Sequence, residues 1–156
     1  IPLLMQLFYI YYALGSMLKV SPTVAAVAAL SICYGAYMGE VFRAGILSVP
    51  KGQSEAARSL GFNRFQTMTL VILPQALRTI IPPVGNESIA LLKDTSLVSV
   101  IAVADVLRRG REYASQTFEY FETYTVIALV YLIITLLLSK VLSMVEGRLS
   151  RYEHHR

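Results

Sequence analysis

Long stretches without charge constrain this chain more than any other feature. Leu3 to Leu18 carries none, the run from Pro22 through Tyr37 meets none before Glu40, and Phe121 to Ser139 holds only Glu122, near its start. At about 1.5 Å of rise per helical residue, runs of this kind approach or span the roughly 30 Å hydrocarbon core of a bilayer. The composition agrees, with a mean hydropathy of +0.56 and 15% of residues charged, against about a quarter in ordinary soluble domains. The expectation is an all-α, polytopic helical membrane protein with a single transmembrane domain over residues 1–156. Its spans lie at about 3–18, 22–47 and 121–144, with a broken membrane segment at 66–105. A water-soluble fold with these runs as core helices is the alternative.

The basic residues orient the chain, because short cytoplasmic loops hold an excess of Lys and Arg. Arg43, Lys51, Arg58 and Arg64 place the loop after the second span inside, and Lys140, Arg148, Arg151 and Arg156 do the same for the tail. Residues 105–122 mix Arg108, Arg109 and Arg111 with Asp105, Glu112, Glu119 and Glu122, as suits the outer face. The net charge of +4 is therefore a matter of topology rather than of nucleic-acid affinity. Cys33 stands alone, which leaves no disulfide or cysteine metal framework, and His154 and His155 sit in a basic tail. No metal site is expected. The opening Ile1-Pro2-Leu3 has no initiator methionine, charged leader or cleavage site, so a preceding span is expected to be missing.

The stretch from Phe65 to Asp105 starts inside and ends outside, yet as one helix it would reach about 60 Å, twice a membrane. It is expected to break at Pro74 and at Pro82-Pro83 with Gly85, since proline withholds a donor and clashes with the preceding turn. Breaks at membrane depth line protein or water-filled cavities and mark transport paths. Beyond them, helical spacing puts Asn86, Glu87, Ala90, Lys93 and Asp94 on one face, with Leu91, Leu92 and Val98 on the other. Charge facing lipid is costly, so the polar face points to a bundle interior. Asn86, Glu87, Lys93 and Asp94 are candidates for a solute path or gate; the alternative is a structural Lys93-Asp94 or Glu87-Lys93 network.

A polar loop at 50–64 separates the second span from this segment. Pro50 and Gly52 are expected to end the preceding helix, Ser54 to cap a short new one, and Glu55 to lie in its first turn, favoured by the helix dipole. Gly61 fits the left-handed position that closes it, and Asn63-x-x-Gln66 offers a capping-box start for the next. Gly35-x-x-x-Gly39 gives the second span a small-residue face, for packing within the chain or against another copy, and Glu40 pairs with Arg43 one turn on.

Glu55-Ala56-Ala57, three residues, Gly61, nine residues, then Val71-x-Leu73-Pro74 resembles the cytoplasmic docking loop of permease subunits in ATP-binding-cassette importers. The resemblance extends through Gly35-Ala36-Tyr37, Arg43-x-Gly45-Ile46, Ser48-Val49-Pro50-Lys51-Gly52-Gln53, Leu73-Pro74-Gln75-Ala76-Leu77-Arg78, Pro82-Pro83-x-Gly85-Asn86 and Lys93-Asp94-Thr95-Ser96-Leu97. On these residues the chain is similar to the polar amino acid uptake permeases, the histidine, glutamine and arginine group. It departs from the pattern at Val71, where isoleucine is commonest, and at the start, where the group's first span and most of its second are absent.

The resemblance implies the transmembrane domain of a type I ABC importer in a bacterial inner membrane, paired with a second permease copy or paralogue. Glu55, Ala56, Ala57 and Gly61 would dock cytoplasmic ATP-binding subunits, and an extracytoplasmic solute-binding protein would deliver an amino acid. The chain has no G-x-x-x-x-G-K-[ST], so ATP and Mg are expected in the partner ATPase, with no cofactor and no covalent catalysis here. A secondary transporter or channel subunit is the rival; it calls for a second, inverted copy of the motif-bearing unit, and no such repeat is visible.

Overall fold

A computed structural model describes residues 1–150, with side chains as far as Gly147. Arg151, His154, His155 and Arg156, and the side chain of Arg148, lie outside what it describes. The described chain is helical from end to end: α1 (Leu3–Leu18), α2 (Pro22–Leu47), α3 (Lys51–Ser59), α4 (Arg64–Ile101), α5 (Val106–Thr117) and α6 (Tyr120–Ser150).

Local chemistry sets most of these bounds. Lys19 adopts a left-handed conformation that ends α1, and Pro22 opens α2 in the first-turn position where its missing N–H costs nothing. Ser21 Oγ accepts from the Val24 N–H at 3.4 Å, supplying the cap. Asp105 caps α5 by accepting from the Arg108 N–H at 2.9 Å, and Phe118, also left-handed, closes it. Helix α6 runs past the expected limit of residue 144 because nothing from Leu136 to Ser150 is a breaker except Gly147.

The segment at 66–105 does not break at its prolines. Helical backbone runs from Arg64 to Ile101 through all three prolines, changing its winding instead: a π-helical turn at Thr67–Ile72, α-helix at Leu73–Asp94, and 3-10 helix at Thr95–Ile101. In a regular α-helix the Pro74 ring would meet the carbonyl of Leu70; the wider π turn lies where that conflict falls. The interruption comes later, at left-handed Ala102.

The helices group into two compact units. Ile1–Ala36 with Ser88–Lys140 has a core of Leu3, Leu7, Ala25, Ala29, Cys33 and Ile101, among others. The α2 contributions recur at four-residue spacing and are small, so neighbouring backbones approach closely. The second unit comprises Tyr37–Glu87 and the chain from Val141. There a methyl group at Gly45 would fall 2.2 Å from Ile80 Cγ1, and one at Gly85 2.0 Å from Leu142 Cδ1, so both glycines are needed for helix contact.

Large apolar side chains cover the outside. On α6, Leu129, Leu132, Ile133, Leu136 and Leu137 are exposed, and only 6% of its most apolar stretch is buried. A water-soluble monomer rarely shows an apolar surface of this extent, whereas lipid tails satisfy it. Helices α2, α4 and α6 are each long and apolar enough to cross a membrane. Gly35 and Gly39 have nothing within 4 Å of where a Cβ would stand. Glu40 accepts from Arg43 Nε at 3.0 Å, as the spacing requires.

Candidate functional site

The loop after α2, residues 48–50, is set by Pro50, whose φ of −56° and ψ of 135° take the chain out of helix. Helix α3 then starts at once, with Lys51. The expectation that Gly52 helps end the preceding helix and that Ser54 caps the new one is therefore wrong. Gly52 lies inside α3, and Ser54 Oγ donates back to the Lys51 carbonyl at 2.8 Å. No side chain caps this end; the extended proline does the separating. Glu55 consequently sits beyond the first turn, away from the strongest field of the helix dipole, and its carboxylate is exposed.

The other end of α3 follows the spacing closely. Gly61 has φ +85°, its N–H donates to the Arg58 carbonyl at 2.9 Å, and the Phe62 N–H donates to Ala57 at 3.1 Å. These are the two bonds of a Schellman closure. Asn63 and Gln66 then make a reciprocal capping box, with bonds of 2.9 and 3.0 Å, and α4 begins.

Only Ala57 of α3 is buried, at 4% exposure. Helix α3 packs on the π turn of α4, where Thr67 and Ile72 are also buried. Glu55, Ala56 and Gly61 are exposed, so of the four proposed docking residues three face outward and Ala57 anchors the helix. Leu60 and Phe65, 78% and 76% exposed, flank Gly61 and were not singled out from the sequence; what marks them is a large apolar residue on each side of a polar turn. Beside the loop, a groove of about 200 Å³ is lined by Ser48, Val49, Pro50, Gln75, Arg78 and Thr79.

Further along α4 lie the solute-path candidates. Asn86 and Lys93 are exposed, Glu87 and Asp94 half-buried. Asp94 is held by Tyr34, whose hydroxyl donates to Asp94 Oδ2 at 2.8 Å across 60 residues of sequence. Neither Glu87 nor Lys93 has an ion pair within 4.0 Å among the described residues, so no salt bridge supports the alternative of a structural Lys93-Asp94 or Glu87-Lys93 network. Residues one or six apart on a helix do not face each other, so such pairs were geometrically weak.

On the segment expected outside, α5 carries Arg108 paired with Glu112 at 2.9 Å and Arg109 with the same carboxylate at 3.5 Å. These bonds fall within one helix face and stabilise it modestly.

Residues 1–151 match the family described as "Binding-protein-dependent transport system inner membrane component". The chain is 42% identical over 155 residues to "Probable amino-acid permease protein YxeN" of Bacillus subtilis (strain 168), covering 97% of this chain and 69% of that one. It is 43% identical over 151 residues to "Glutamine transport system permease protein GlnP" of Escherichia coli (strain K12), covering 95% and 69%. A solved structure, "Crystal structure of an amino acid ABC transporter with histidines", aligns with a TM-score of 0.88 at 46% identity, over 95% of this chain and 70% of the other.

Proposed function

We propose a transport role on this footing: the chain belongs to the family of binding-protein-dependent transport system inner membrane components, and the relatives it matches are amino-acid permeases of ABC transporters. In our reading it is the permease subunit of an ATP-driven importer of polar amino acids in a bacterial inner membrane. A second permease copy or paralogue completes the path, cytoplasmic ATP-binding subunits supply ATP and Mg chemistry, and an extracytoplasmic solute-binding protein delivers the solute. The permease itself performs no covalent step. Conformational change is then a two-state equilibrium biased by the ATPase, which requires differential contact with α3 in the two states.

The observation that carries this reading is the build of α3. A nine-residue helix is closed by a left-handed glycine, pinned through Ala57 and exposed at Glu55 and Ala56. That construction gives a partner a rigid surface while tying its movement to α4. Asn86, Glu87, Lys93 and Asp94 on α4 are proposed to line the solute path or its gate, since an ionisable group at membrane depth is a candidate for function by its cost alone.

The orientation makes the test. Single cysteines at Ser54 and Ser115, on a Cys33→Ser background of the full-length permease, are expected to differ in intact cells. An impermeant thiol reagent labels Ser115→Cys but not Ser54→Cys; in inside-out vesicles Ser54→Cys becomes reactive, and bound ATP-binding subunit protects it. Labelling of Ser54→Cys in intact cells overturns the cytoplasmic placement of α3.

A further inference from the structure

Two glutamines meet between α3 and α4, and docking alone gives them no role. Gln53 lies in the first turn of α3, and Gln75 follows Pro74 on α4. Gln75 Nε2 donates to the Val71 carbonyl at 2.8 Å and to Gln53 Oε1 at 3.3 Å. The Val71 carbonyl only accepts, so it fixes which end of the Gln75 amide faces the backbone; Gln75 therefore needs an acceptor from Gln53. Val71 belongs to the π turn on which α3 packs, the one place in α4 where the winding is widened.

We propose that Gln53 and Gln75 form a coupling strut that ties α3 to the π turn of α4, an inference that rests on α3 being the ATPase-docking helix. The packing of α3 on the π turn resists compression: when α3 is pushed, α4 must follow. Packing does not resist separation, because dispersion fades over a fraction of an ångström. A hydrogen bond across the same joint does resist it, so the return stroke runs through Gln53, Gln75 and the Val71 carbonyl. From there α4 continues in helical winding to Asn86 and Glu87, about three turns on. Gln53 and Gln75 are positioning residues, acting on the solute path through the helix between.

The test uses the full-length permease with its ATP-binding subunits in proteoliposomes, measuring labelled arginine or glutamine taken up per ATP hydrolysed, together with the amount of ATP-binding subunit retained. Gln53→Leu and Gln75→Leu are each expected to lower uptake per ATP by about fivefold, the population ratio corresponding to one ordinary hydrogen bond. Retained ATPase stays at the wild-type level, and the double variant falls no further than the worse single. Gln53→Glu still accepts and keeps wild-type coupling, whereas Gln75→Glu has no donor and behaves as Gln75→Leu. Unchanged uptake per ATP in Gln53→Leu, which sits on an exposed helix and does not threaten folding, overturns the strut. So does a loss that tracks loss of bound ATPase. A wild-type permease that binds no ATP-binding subunit overturns the docking reading, and the strut with it.

Discussion

Gly61→Val is expected to lower amino-acid uptake and its link to ATP hydrolysis by about tenfold while leaving membrane insertion intact. The reason lies in the backbone alone. Gly61 sits at φ +85° with nothing within 4 Å of the place a Cβ would take, so added bulk meets no neighbour. What the valine meets is the left-handed conformation, which costs an L-residue about 1–2 kcal/mol and a β-branched one at least that. An energy of that size shifts a two-state population by about 5- to 30-fold. The Schellman bonds from Gly61 to Arg58 and from Phe62 to Ala57 then loosen, and the C-terminal end of α3 frays. Gly61→Asn, which tolerates this conformation, should retain most of the activity. Wild-type uptake per ATP in Gly61→Val, at equal expression, would show that the closure of α3 is not part of coupling.

Glu87→Gln is expected to discriminate between solutes. Glu87 is half-buried on α4 and forms no ion pair among the described residues, so its charge is not consumed by Lys93. A carboxylate in reduced solvent favours a cation within about 4 to 6 Å, such as the side chain of arginine or lysine in transit. Glu87→Gln keeps the shape and removes the charge. Uptake of arginine should drop about tenfold relative to glutamine, and protein level should hold. A lower protein level with an unchanged arginine-to-glutamine ratio would instead make Glu87 a packing residue.

Much of this fold is legible along the chain because a membrane enforces it locally. Uncharged runs gave α1, α2 and most of α6, and Pro22 marks one boundary outright. The Gly61 closure and the Asn63-Gln66 box were readable because caps depend on residues within one turn. The failures share a different origin. Whether Pro74 or Pro82-Pro83 breaks a helix depends on how winding and neighbours absorb the lost donors, and the π turn at Thr67–Ile72 has no signal of its own. Ser54 looked like a cap because its residue type suits one, yet Pro50 had already reset the chain four residues earlier. Tyr34 with Asp94 and Gln53 with Gln75 join residues 60 and 22 apart, and nothing in the local pattern announces either pair. Of the four proposed docking residues, Glu55, Ala56 and Gly61 lie exposed, while the burial of Ala57 had no local signal in the sequence.

The exposed face of α3 is proposed as the surface an ATP-binding subunit grips. Site-specific photocrosslinking tests it most directly, with the probe placed in turn at Ala56, Ala57 and Ser115 of the full-length permease in native membranes. An adduct with the ATP-binding subunit is expected from Ala56, little or none from buried Ala57, and none from Ser115. No adduct from Ala56, or one from Ser115 in its place, would contradict it.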